Sequence, residues 1–397
     1  MAASPKLPPF DPADPLGIDD LLDPEDLAVR DTVRDWAADR VLPHVADWYE
    51  KGELPGVREL ARELGAIGAL GMSLRGYGCA GASAVQYGLA CLELEAADSG
   101  IRSLVSVQGS LAMYAIHRFG SEEQKQAWLP RMASGEVIGC FGLTEPDHGS
   151  DPAGMRTHAK RDAGGDWVLN GRKMWITNGS VAGVAVVWAR TEDGIRGFVV
   201  PAGTPGFSAP EIRHKWSLRA SVTSELVLDD VRLPADAVLP EAAGLRGPLS
   251  CLTHARYGIV WGAMGAARSC FEAAVEYAKS REQFGRPIGG FQLTQAKLAD
   301  MAVELHKGIL LAHHLGRRMD AGRLRPEQVS FGKLNNVREA IDICRTARTI
   351  LGANGISLEY PVMRHATNLE SVLTYEGTVE MHQLVLGKAL TGIDAFR

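Results

Sequence analysis

The sequence lacks a long apolar run, an excess of basic residues and paired cysteines. Its longest segments without charged or strongly polar side chains are short, such as residues 258–267 (GIVWGAMGAA), whereas a bilayer span needs about 20 such residues. The 42 Lys and Arg are outnumbered by 48 Asp and Glu, for a net charge of −6, while nucleic-acid-binding domains usually carry a basic excess. We therefore expect neither a membrane span nor a nucleic-acid partner.

Metal and disulfide motifs are also missing. The six cysteines show no C-x-x-C or similar spacing, which predicts reduced core thiols of the kind usual in the cytosol: Cys79, Cys91, Cys140, Cys251, Cys270 and Cys344. There is no Walker A, G-x-S-x-G, H-E-x-x-H or EF-hand motif. The adjacent His313 and His314 point to different faces of a predicted helix, and His382 also lies in a helical pattern, so we expect no metal site.

The N-terminal 20 residues have no apolar core and no cleavage site for a signal peptide. They are acidic and rich in proline, and the first arginine is Arg30, which is the opposite of a mitochondrial transit peptide. We therefore expect a cytoplasmic protein. The proline density predicts a non-helical arm over residues 1–23.

The full chain of 397 residues is long enough for about two or three domains. After the arm, its pattern changes from helical to β and back to helical. Residues 24–136 follow a helical pattern, and Ser121 with Gln124 forms a predicted capping box that opens a helix running to Met132. Residues 137–243 are rich in β-forming runs and glycine turns. Within them, Asn170-Gly171 predicts a hairpin between two strands.

Residues 244–397 return to helical periodicity and leave room for three or four long helices. One face of such a helix is visible in a run of apolar residues spaced by three or four positions: Leu298, Met301, Leu305, Ile309 and Ala312. The predicted fold class is therefore α+β, with an N-terminal helical unit, a middle β unit and a C-terminal helical unit. The G-x-G-x-x-G at residues 76–81 follows a helical pattern rather than a strand, so we interpret it as a loop and not as a dinucleotide site.

The candidate functional residues lie in two loops and a neighbouring β segment. Residues 141–151 (FGLTEPDHGSD) run from an apolar strand into a loop whose backbone N–H groups are suited to a polar ligand. On the next β segment, Trp175 and Thr177 share one face at a period of two, which presents an aromatic plane beside a hydroxyl. Near the C-terminus, Glu376 lies between Tyr375 and Gly377, and burial there would raise its pKa and make it a better general base.

Five segments resemble the acyl-CoA dehydrogenase family, in the same order and over nearly the whole chain: LTEPDHGSD (143–151), WIT (175–177), REQFGRPI (281–288), ILGANGI (350–356) and YEGT (375–378). The family fold has an N-terminal helical domain, a middle β-barrel or sandwich domain and a C-terminal four-helix domain. The resemblance implies an FAD-dependent enzyme that assembles as a homotetramer, acts on an acyl-CoA substrate and passes electrons to an electron-transfer flavoprotein.

Within the family, the chain is most similar to the glutaryl-CoA dehydrogenases. The matching stretches are ELE (93–95), DSG (98–100), RS (102–103), SVQ (106–108), CFGLT (140–144), SLRAS (217–221), NLE (368–370) and TGIDAF (391–396). Arg102 matches the arginine that binds the distal carboxylate of glutaryl-CoA in those enzymes. The alternative is a structural salt bridge from Arg102 to Glu95 or Asp98. Glu95, Ser103 and Tyr375 also match positions beside the carboxylate.

The resemblance also implies roles for individual residues. Glu376 matches the base that takes the α-proton of the thioester, with hydride transfer to FAD, and Ser150, Arg256 and Gly377 match acyl-CoA contacts. The positions that contact the isoalloxazine and ribityl parts of FAD are Phe141, Leu143, Thr144, Trp175, Ile176, Thr177 and Thr378. The positions for its diphosphate and adenosine, partly those of a neighbouring subunit, are Arg281, Phe284, Gln292, Thr349, Gly352, Ala353 and Asn354. Ala353 departs from the commoner glycine.

The implied reaction is oxidation of glutaryl-CoA followed by loss of CO2 to give crotonyl-CoA, with Glu376 returning a proton. Alternatives remain: a non-decarboxylating or short-chain acyl-CoA dehydrogenase, a flavin-dependent acyl-CoA oxidase, or a descendant that keeps the fold without activity. Arg102 argues against a plain alkyl pocket, since an unpaired buried cation is costly. The retained Glu376, Trp175, Thr177 and Arg281 argue against loss of activity.

Overall fold

The computed structural model describes residues 10–395, so residues 1–9 of the predicted arm and Phe396 of the C-terminal match lie outside it. The prediction that the whole arm is non-helical is wrong for Ile18–Leu21, which forms a short 3₁₀ turn. The Asp14 carboxylate stabilises this turn by accepting hydrogen bonds from the backbone N–H groups of Ile18 and Asp19, at 2.8 and 2.9 Å. The last proline before it is Pro15, so the turn itself contains none.

The first part of the chain is helical: α1 (Pro24–Arg40), α2 (Val45–Lys51), α3 (Val57–Ala66), α4 (Ala84–Ala97), α5 (Ser99–Ser106), α6 (Tyr114–Phe119) and α7 (Glu122–Ala133). The capping box at Ser121 and Gln124 is confirmed, with both reciprocal bonds present. A π-helical segment, Val107–Met113, joins α5 to α6. The loop at residues 76–81 is part of a two-stranded hairpin, β1 (Arg75–Gly76) and β2 (Cys79–Ala80).

The middle part forms a mixed seven-stranded sheet from β3 (Gly139–Gly142), β4 (His158–Arg161), β5 (Trp167–Thr177), β6 (Val184–Thr191), β7 (Gly194–Pro201), β8 (Phe207–Ser208) and β9 (Thr223–Leu233). The strand order is β3-β6-β4-β5-β9-β8, with β7 added against β6. The pairings of β6 with β3 and β4 are parallel and the others are antiparallel. The side chain of Gln108, from the π-helical segment, accepts a bond from the N–H of Gly139 at 2.6 Å and so ties the helices to the start of β3.

The hairpin predicted at Asn170-Gly171 is wrong, because both residues lie inside the single strand β5. Gly171 has φ +146° at an irregularity in the pairing with β9, and a Cβ there would lie 2.5 Å from the hydroxyl of Thr157. The Asn170 side chain exchanges two hydrogen bonds with Asp230, at 2.9 and 2.8 Å. A close neighbour and a distant partner therefore turn a typical turn sequence into a bulged strand.

The last part is again helical: α8 (Arg246–Ser280), α9 (Gln292–Asp320), α10 (Pro326–Leu351), α11 (Val362–Thr374) and α12 (Val379–Thr391). A small hairpin, β10 (Glu282–Gln283) and β11 (Arg286–Pro287), separates α8 from α9. The three long helices agree with the sequence, and two of 13 residues follow them. The apolar face predicted for α9 is confirmed: Met301, Leu305 and Ala312 are buried, and Leu298 and Ile309 are partly buried.

The long helix α8 packs between α4 and α10 and joins the two helical parts. Glycines allow the close approach: a Cβ on Gly265 of α8 would lie 1.9 Å from the carbonyl oxygen of Leu92 on α4. The buried Asn336 of α10 donates to the carbonyls of Val260 and Gly308, at 2.8 and 2.9 Å, which links α8, α9 and α10.

Five of the six cysteines are buried, Cys79 is partly buried, and all are free thiols. Across residues 10–395, every helix is too short or too polar to cross a bilayer.

We predict that Gly265→Ala lowers the midpoint of thermal unfolding, because the new methyl group collides with the backbone of α4. Overpacking of this kind costs about 1–3 kcal/mol. The matched control is Gly387→Ala in α12, where a Cβ would meet nothing within 4 Å. There, alanine should stabilise the helix by up to about 1 kcal/mol. Equal midpoints for the two variants would contradict the packing argument.

Candidate active site

The candidate base, Glu376, lies in the junction between α11 and α12. Tyr375 caps the end of α11, and the Thr378 hydroxyl accepts a bond from the N–H of Met381 as the N-cap of α12. Glu376 itself has φ +55° and Gly377 has φ +100°. A left-handed backbone costs a non-glycine residue roughly 1–2 kcal/mol, so the surroundings must hold Glu376 there. A Cβ on Gly377 would lie 2.9 Å from Nε2 of His382, which explains the glycine.

Two cationic side chains hold the carbonyls of this junction. Lys333 of α10 donates from Nζ to the carbonyls of Tyr375 and Gly377, each at 2.6 Å. Arg256 of α8 donates from Nε to the carbonyl of Glu376 at 2.6 Å. The backbone on both sides of the candidate base is therefore fixed from two different helices.

The Glu376 carboxylate is half-buried, and its Oε2 is enclosed without a hydrogen-bond partner. Burial raises the pKa of Glu376 above its ordinary value, and the positive charges of Arg102, Lys333 and Arg256 oppose that rise. Negative Glu95 adds to the rise. A carboxylate with a raised pKa and a free oxygen has the properties of a general base.

Arg102 lies beside this base and is almost fully buried, with 1% of its surface exposed. Its Nε donates to Oε2 of Glu95 at 2.6 Å, and its Nη2 donates to the hydroxyl of Tyr375. Of the two structural salt bridges considered from the sequence, the one with Glu95 is present. Asp98 instead pairs with Arg364, at 2.6 Å. Ser103, on the next residue of α5, is also buried.

The two middle segments that resemble flavin contacts lie side by side. The N–H of Met174 donates to the carbonyl of Thr144 at 2.8 Å, which brings the residue-144 loop next to Trp175. The indole of Trp175 is 57% exposed, and its φ of +63° turns the strand end at a bulge. The remaining members differ in burial: Phe141, Leu143 and Ile176 are buried, and Thr144 and Thr177 are partly exposed.

A buried ion pair supports the residue-144 loop from behind. Lys173 donates to Oε1 of Glu145 at 2.9 Å and to the carbonyl of Leu143 at 3.1 Å. Burial lowers the pKa of Lys173 to about 8. Although burial opposes it, hydrogen bonds from Thr157, Arg156 and Lys173 lower the pKa of Glu145 to about 2. This pair fixes the loop that leads to Ser150, which is itself exposed.

A second group of predicted residues lies at the surface around the C-terminal end of α8. Tyr277 links two of them, since its carbonyl accepts from the N–H of Arg281 at 2.8 Å and its hydroxyl accepts from the Asn354 side chain at 3.0 Å. Every member is exposed: Arg281, Phe284, Gln292, Thr349, Gly352, Ala353 and Asn354. Among the residues described, no hydrogen bond or ion pair joins this group to Glu376.

Sequence reasoning missed Lys333 and Lys173, although both left a signal. Lys333 falls on the buried stripe of α10, four residues after Val329 and four before Val337. Lys173 lies four positions after the buried Leu169 in β5, so strand alternation predicts that both side chains point to the same, buried face. A lysine on an apolar face needs buried partners. Within residues 10–395, no group of three or more His, Cys, Asp or Glu side chains is arranged to hold a metal ion.

Comparisons with known proteins agree with this architecture. Three sequence profiles match in order: acyl-CoA dehydrogenase, N-terminal domain, at residues 23–136; middle domain at 140–231; and C-terminal domain at 242–391. Human mitochondrial short-chain specific acyl-CoA dehydrogenase is 36% identical over 362 residues, which cover 89% of this chain and 87% of that protein.

Two solved structures of glutaryl-CoA dehydrogenase from Mycobacterium smegmatis are also similar. One is 72% identical with a TM-score of 0.95, covering 97% of this chain and 99% of that chain. The other, in complex with FADH2, is 64% identical with a TM-score of 0.96, covering 98% and 100%. Since profiles match all three parts of the fold and these relatives align over nearly the full length, the chain belongs to the acyl-CoA dehydrogenase family of FAD-dependent enzymes.

Proposed function

We propose that this enzyme oxidises and decarboxylates glutaryl-CoA to crotonyl-CoA and CO2. The observation that carries the proposal is the buried Arg102 beside the candidate base, in contact with Tyr375. A guanidinium matches a carboxylate with two parallel hydrogen bonds, so it is suited to the distal end of a dicarboxylic acyl chain. The similarity to two glutaryl-CoA dehydrogenase structures supports the same substrate.

Two groups of residues fit FAD in chemical terms: the adjacent segments around Thr144 and Trp175, and the surface group around Arg281. The indole of Trp175 offers a plane for a flavin ring, and the hydroxyls of Thr144, Thr177 and Thr378 offer polar contacts beside it. Phe141, Leu143 and Ile176 would complete the apolar side. The exposed guanidinium of Arg281 is suited to a diphosphate, with the adenosine against the surrounding residues Phe284, Gln292, Thr349, Gly352, Ala353 and Asn354. When bound, FAD supplies the acceptor for the hydride that leaves the β-carbon.

Glu376 would remove the α-proton of the thioester through its free carboxylate oxygen. A thioester α-proton is weakly acidic, so the site must stabilise the developing enolate. The Glu376 carbonyl is already bound by Arg256, which holds the backbone at the base in place. The N–H of Glu376 would then donate a hydrogen bond to the thioester oxygen. Ser150, Arg256 and Gly377 are the proposed acyl-CoA contacts.

Arg102 would hold the distal carboxylate, with Glu95, Ser103 and Tyr375 around it. After oxidation, the product has a double bond next to the carbon that bears the carboxylate. Loss of CO2 then leaves an electron pair on the carbon that bore the carboxylate, and the unsaturated thioester can delocalise this pair. Glu376 returns its proton to that carbon to give crotonyl-CoA. Glu376 would thus serve both halves of the reaction, first as base and then as acid.

A second candidate function is a short-chain acyl-CoA dehydrogenase without decarboxylation. The 36% identity with the human short-chain enzyme favours it, as does the pairing of Arg102 with Glu95. An oxidase would use the same residues. Production of peroxide in air identifies the oxidase, and release of CO2 from glutaryl-CoA identifies the decarboxylase.

The proposal includes a homotetramer and an electron-transfer flavoprotein as the acceptor. Several large apolar side chains at the surface of the last helical part are exposed, and association would remove them from water. They are Phe284, Leu293, Ile356, Leu390 and Ile393. The proposed boundaries are an arm at 1–23 and domains at 24–136, 137–243 and 244–397.

We expect Glu376→Gln to bind FAD and acyl-CoA and to reduce the flavin about 10³-fold more slowly, within the range that a general base supplies. Glutamine has nearly the same shape but cannot take the proton. Stopped-flow measurement of flavin bleaching checks this. The matched control is Glu380→Gln, which changes an exposed carboxylate on the first turn of α12. Bleaching of the Glu376 variant at the control's rate would remove Glu376 from the base role.

Arg102→Gln should change which acyl-CoA substrates the enzyme turns over. Removing one partner of a buried charge pair costs about 3–5 kcal/mol, so kcat/KM on glutaryl-CoA should fall by about 10²–10³·⁵-fold. Turnover of butyryl-CoA, which has no distal charge, should change little. Because Glu95 would be left unpaired, Glu95→Gln/Arg102→Gln is measured in parallel. Equal losses on both substrates in both variants would make Arg102 structural only.

Arg281→Ala should weaken FAD binding, because charge-assisted bonds to a diphosphate contribute about 1.5–3 kcal/mol each. This corresponds to an affinity about 10- to 10²-fold lower. The measurement is the FAD content after dialysis, with Arg286→Ala as the control, since Arg286 is also an exposed arginine and lies on the small hairpin that follows Arg281. Full FAD retention by Arg281→Ala would show that the diphosphate site lies elsewhere.

A further inference from the structure

Lys333 is an unusual residue for the interior of a helical domain. Its side chain is 2% exposed and lies on the buried stripe of α10 with Val337 and Ala340. Lysine is almost never buried unless it is paired, and an isolated ammonium in an apolar setting is strongly disfavoured. Its burial therefore needs a reason beyond packing.

The partners of Lys333 supply that reason. Its Nζ donates two hydrogen bonds of 2.6 Å, to the carbonyls of Tyr375 and Gly377. These are the residues on either side of Glu376, whose own carbonyl is held by Arg256. Three consecutive carbonyls are thus bound by two cations, one from α10 and one from α8.

The junction needs this support. α11 ends at Thr374, so the carbonyls beyond it have no partner in a following turn, and a cation at a helix C-terminus is favourable. Glu376 also has the left-handed φ of +55°, which persists only when surrounding contacts determine it. Releasing the carbonyls would let the backbone relax and carry the carboxylate away from its position.

We propose that Lys333 is a positioning residue for the catalytic carboxylate, holding the carbonyls of Tyr375 and Gly377 so that Glu376 keeps its left-handed backbone and its place in the site. This inference rests on the proposed role of Glu376 as the base. Lys333 itself acts through the backbone rather than on the substrate.

The charge of Lys333 has a second effect on the base. The groups that face it are Glu376 and Tyr375 in the junction, Arg256 on α8, Arg102 on α5 and His382 on α12. Burial lowers the pKa of Lys333 to about 7. The positive charge of Lys333 lowers the pKa of Glu376 against the effect of burial. Without that charge, the pKa of Glu376 rises, so the carboxylate form is lost at a higher pH.

Three variants of the FAD-loaded enzyme separate these effects. Lys333→Met removes both the bonds and the charge. Lys333→Gln keeps an amide donor without the charge, so it decides the question even where Lys333→Met does not fold. The matched control is Lys215→Met. Lys215 also bridges two backbone carbonyls, Leu218 and Ser221 (the latter at 2.7 Å), and burial lowers its pKa to about 8.

The first measurement is flavin reduction by excess acyl-CoA as a function of pH. Lys333→Met should bind substrate with nearly unchanged affinity but reduce the flavin about 10²-fold more slowly, the loss expected from a displacement of about 1 Å. The acid limb of its pH profile, where the rate of flavin reduction falls as Glu376 takes up a proton, should move to higher pH. Lys333→Gln should show the same shift in the limb with a smaller loss of rate. Lys215→Met should leave both quantities unchanged, after correction for FAD content.

The second measurement is amide hydrogen exchange over residues 373–379 in the enzyme without substrate. It reports opening of the junction directly. Exchange should be about 10-fold faster in Lys333→Met and unchanged in Lys215→Met. This result does not depend on which residue is the base.

Unchanged exchange at residues 373–379 together with wild-type reduction and pH dependence would overturn the inference. So would equal rate losses in the Lys333 and Lys215 variants with no shift in the acid limb, since that pattern belongs to a merely structural lysine. Glu376→Gln keeps the two failures apart. If Glu376→Gln is inactive while Lys333→Met is normal, only the positioning role fails, whereas activity in Glu376→Gln refutes the base assignment itself.

Discussion

The close contact between α4 and α8 is the constraint on which the candidate site depends. It is made by residues without side chains: Gly88 of α4 lies against the indole of Trp261, and a Cβ on Gly262 of α8 would lie 2.0 Å from the Glu95 carboxylate. The pair of Glu95 and Arg102 therefore has room only because α8 presents glycine there. The same helix supplies Arg256 to the carbonyl of Glu376. One helix contact thus sets both the charge pair and the base.

The charges gathered there do not cancel. Arg102 and Arg256 are cations, and Lys333 joins them below the pKa of about 7 to which burial lowers it. Glu95 and Glu376 are the carboxylates, so with Lys333 protonated the buried group carries one positive charge in excess. A buried charge is tolerated only when it is compensated. A substrate with a distal carboxylate would bring the group to neutrality, whereas a plain alkyl chain would leave the excess in place. The proposed substrate would therefore give Arg102 a role even though Glu95 already pairs with it.

Local signals in the sequence predicted local structure well. The capping box at Ser121 and the apolar stripe of α9 depend on residues three or four positions apart, so the sequence contains all that determines them. The Asn170-Gly171 prediction failed because its outcome depends on Asp230 and Thr157, which only the folded sheet brings close. Lys333 was missed for the same reason, since its carbonyl partners lie 42 and 44 residues away.

The π-helical segment Val107–Met113 sets the direction in which Arg102 points from its helix, relative to the start of β3. Arg102 projects from the helix before it, while Gln108 within it holds the start of β3. A π-helical turn contains one residue more than an α-helical turn, and each residue of an α-helix turns the chain by about 100°. Loss of one residue here would rotate Arg102 away from Glu376 while every side chain of the site remained. The length of this short stretch is therefore a constraint on the proposed site, in addition to the identity of its side chains.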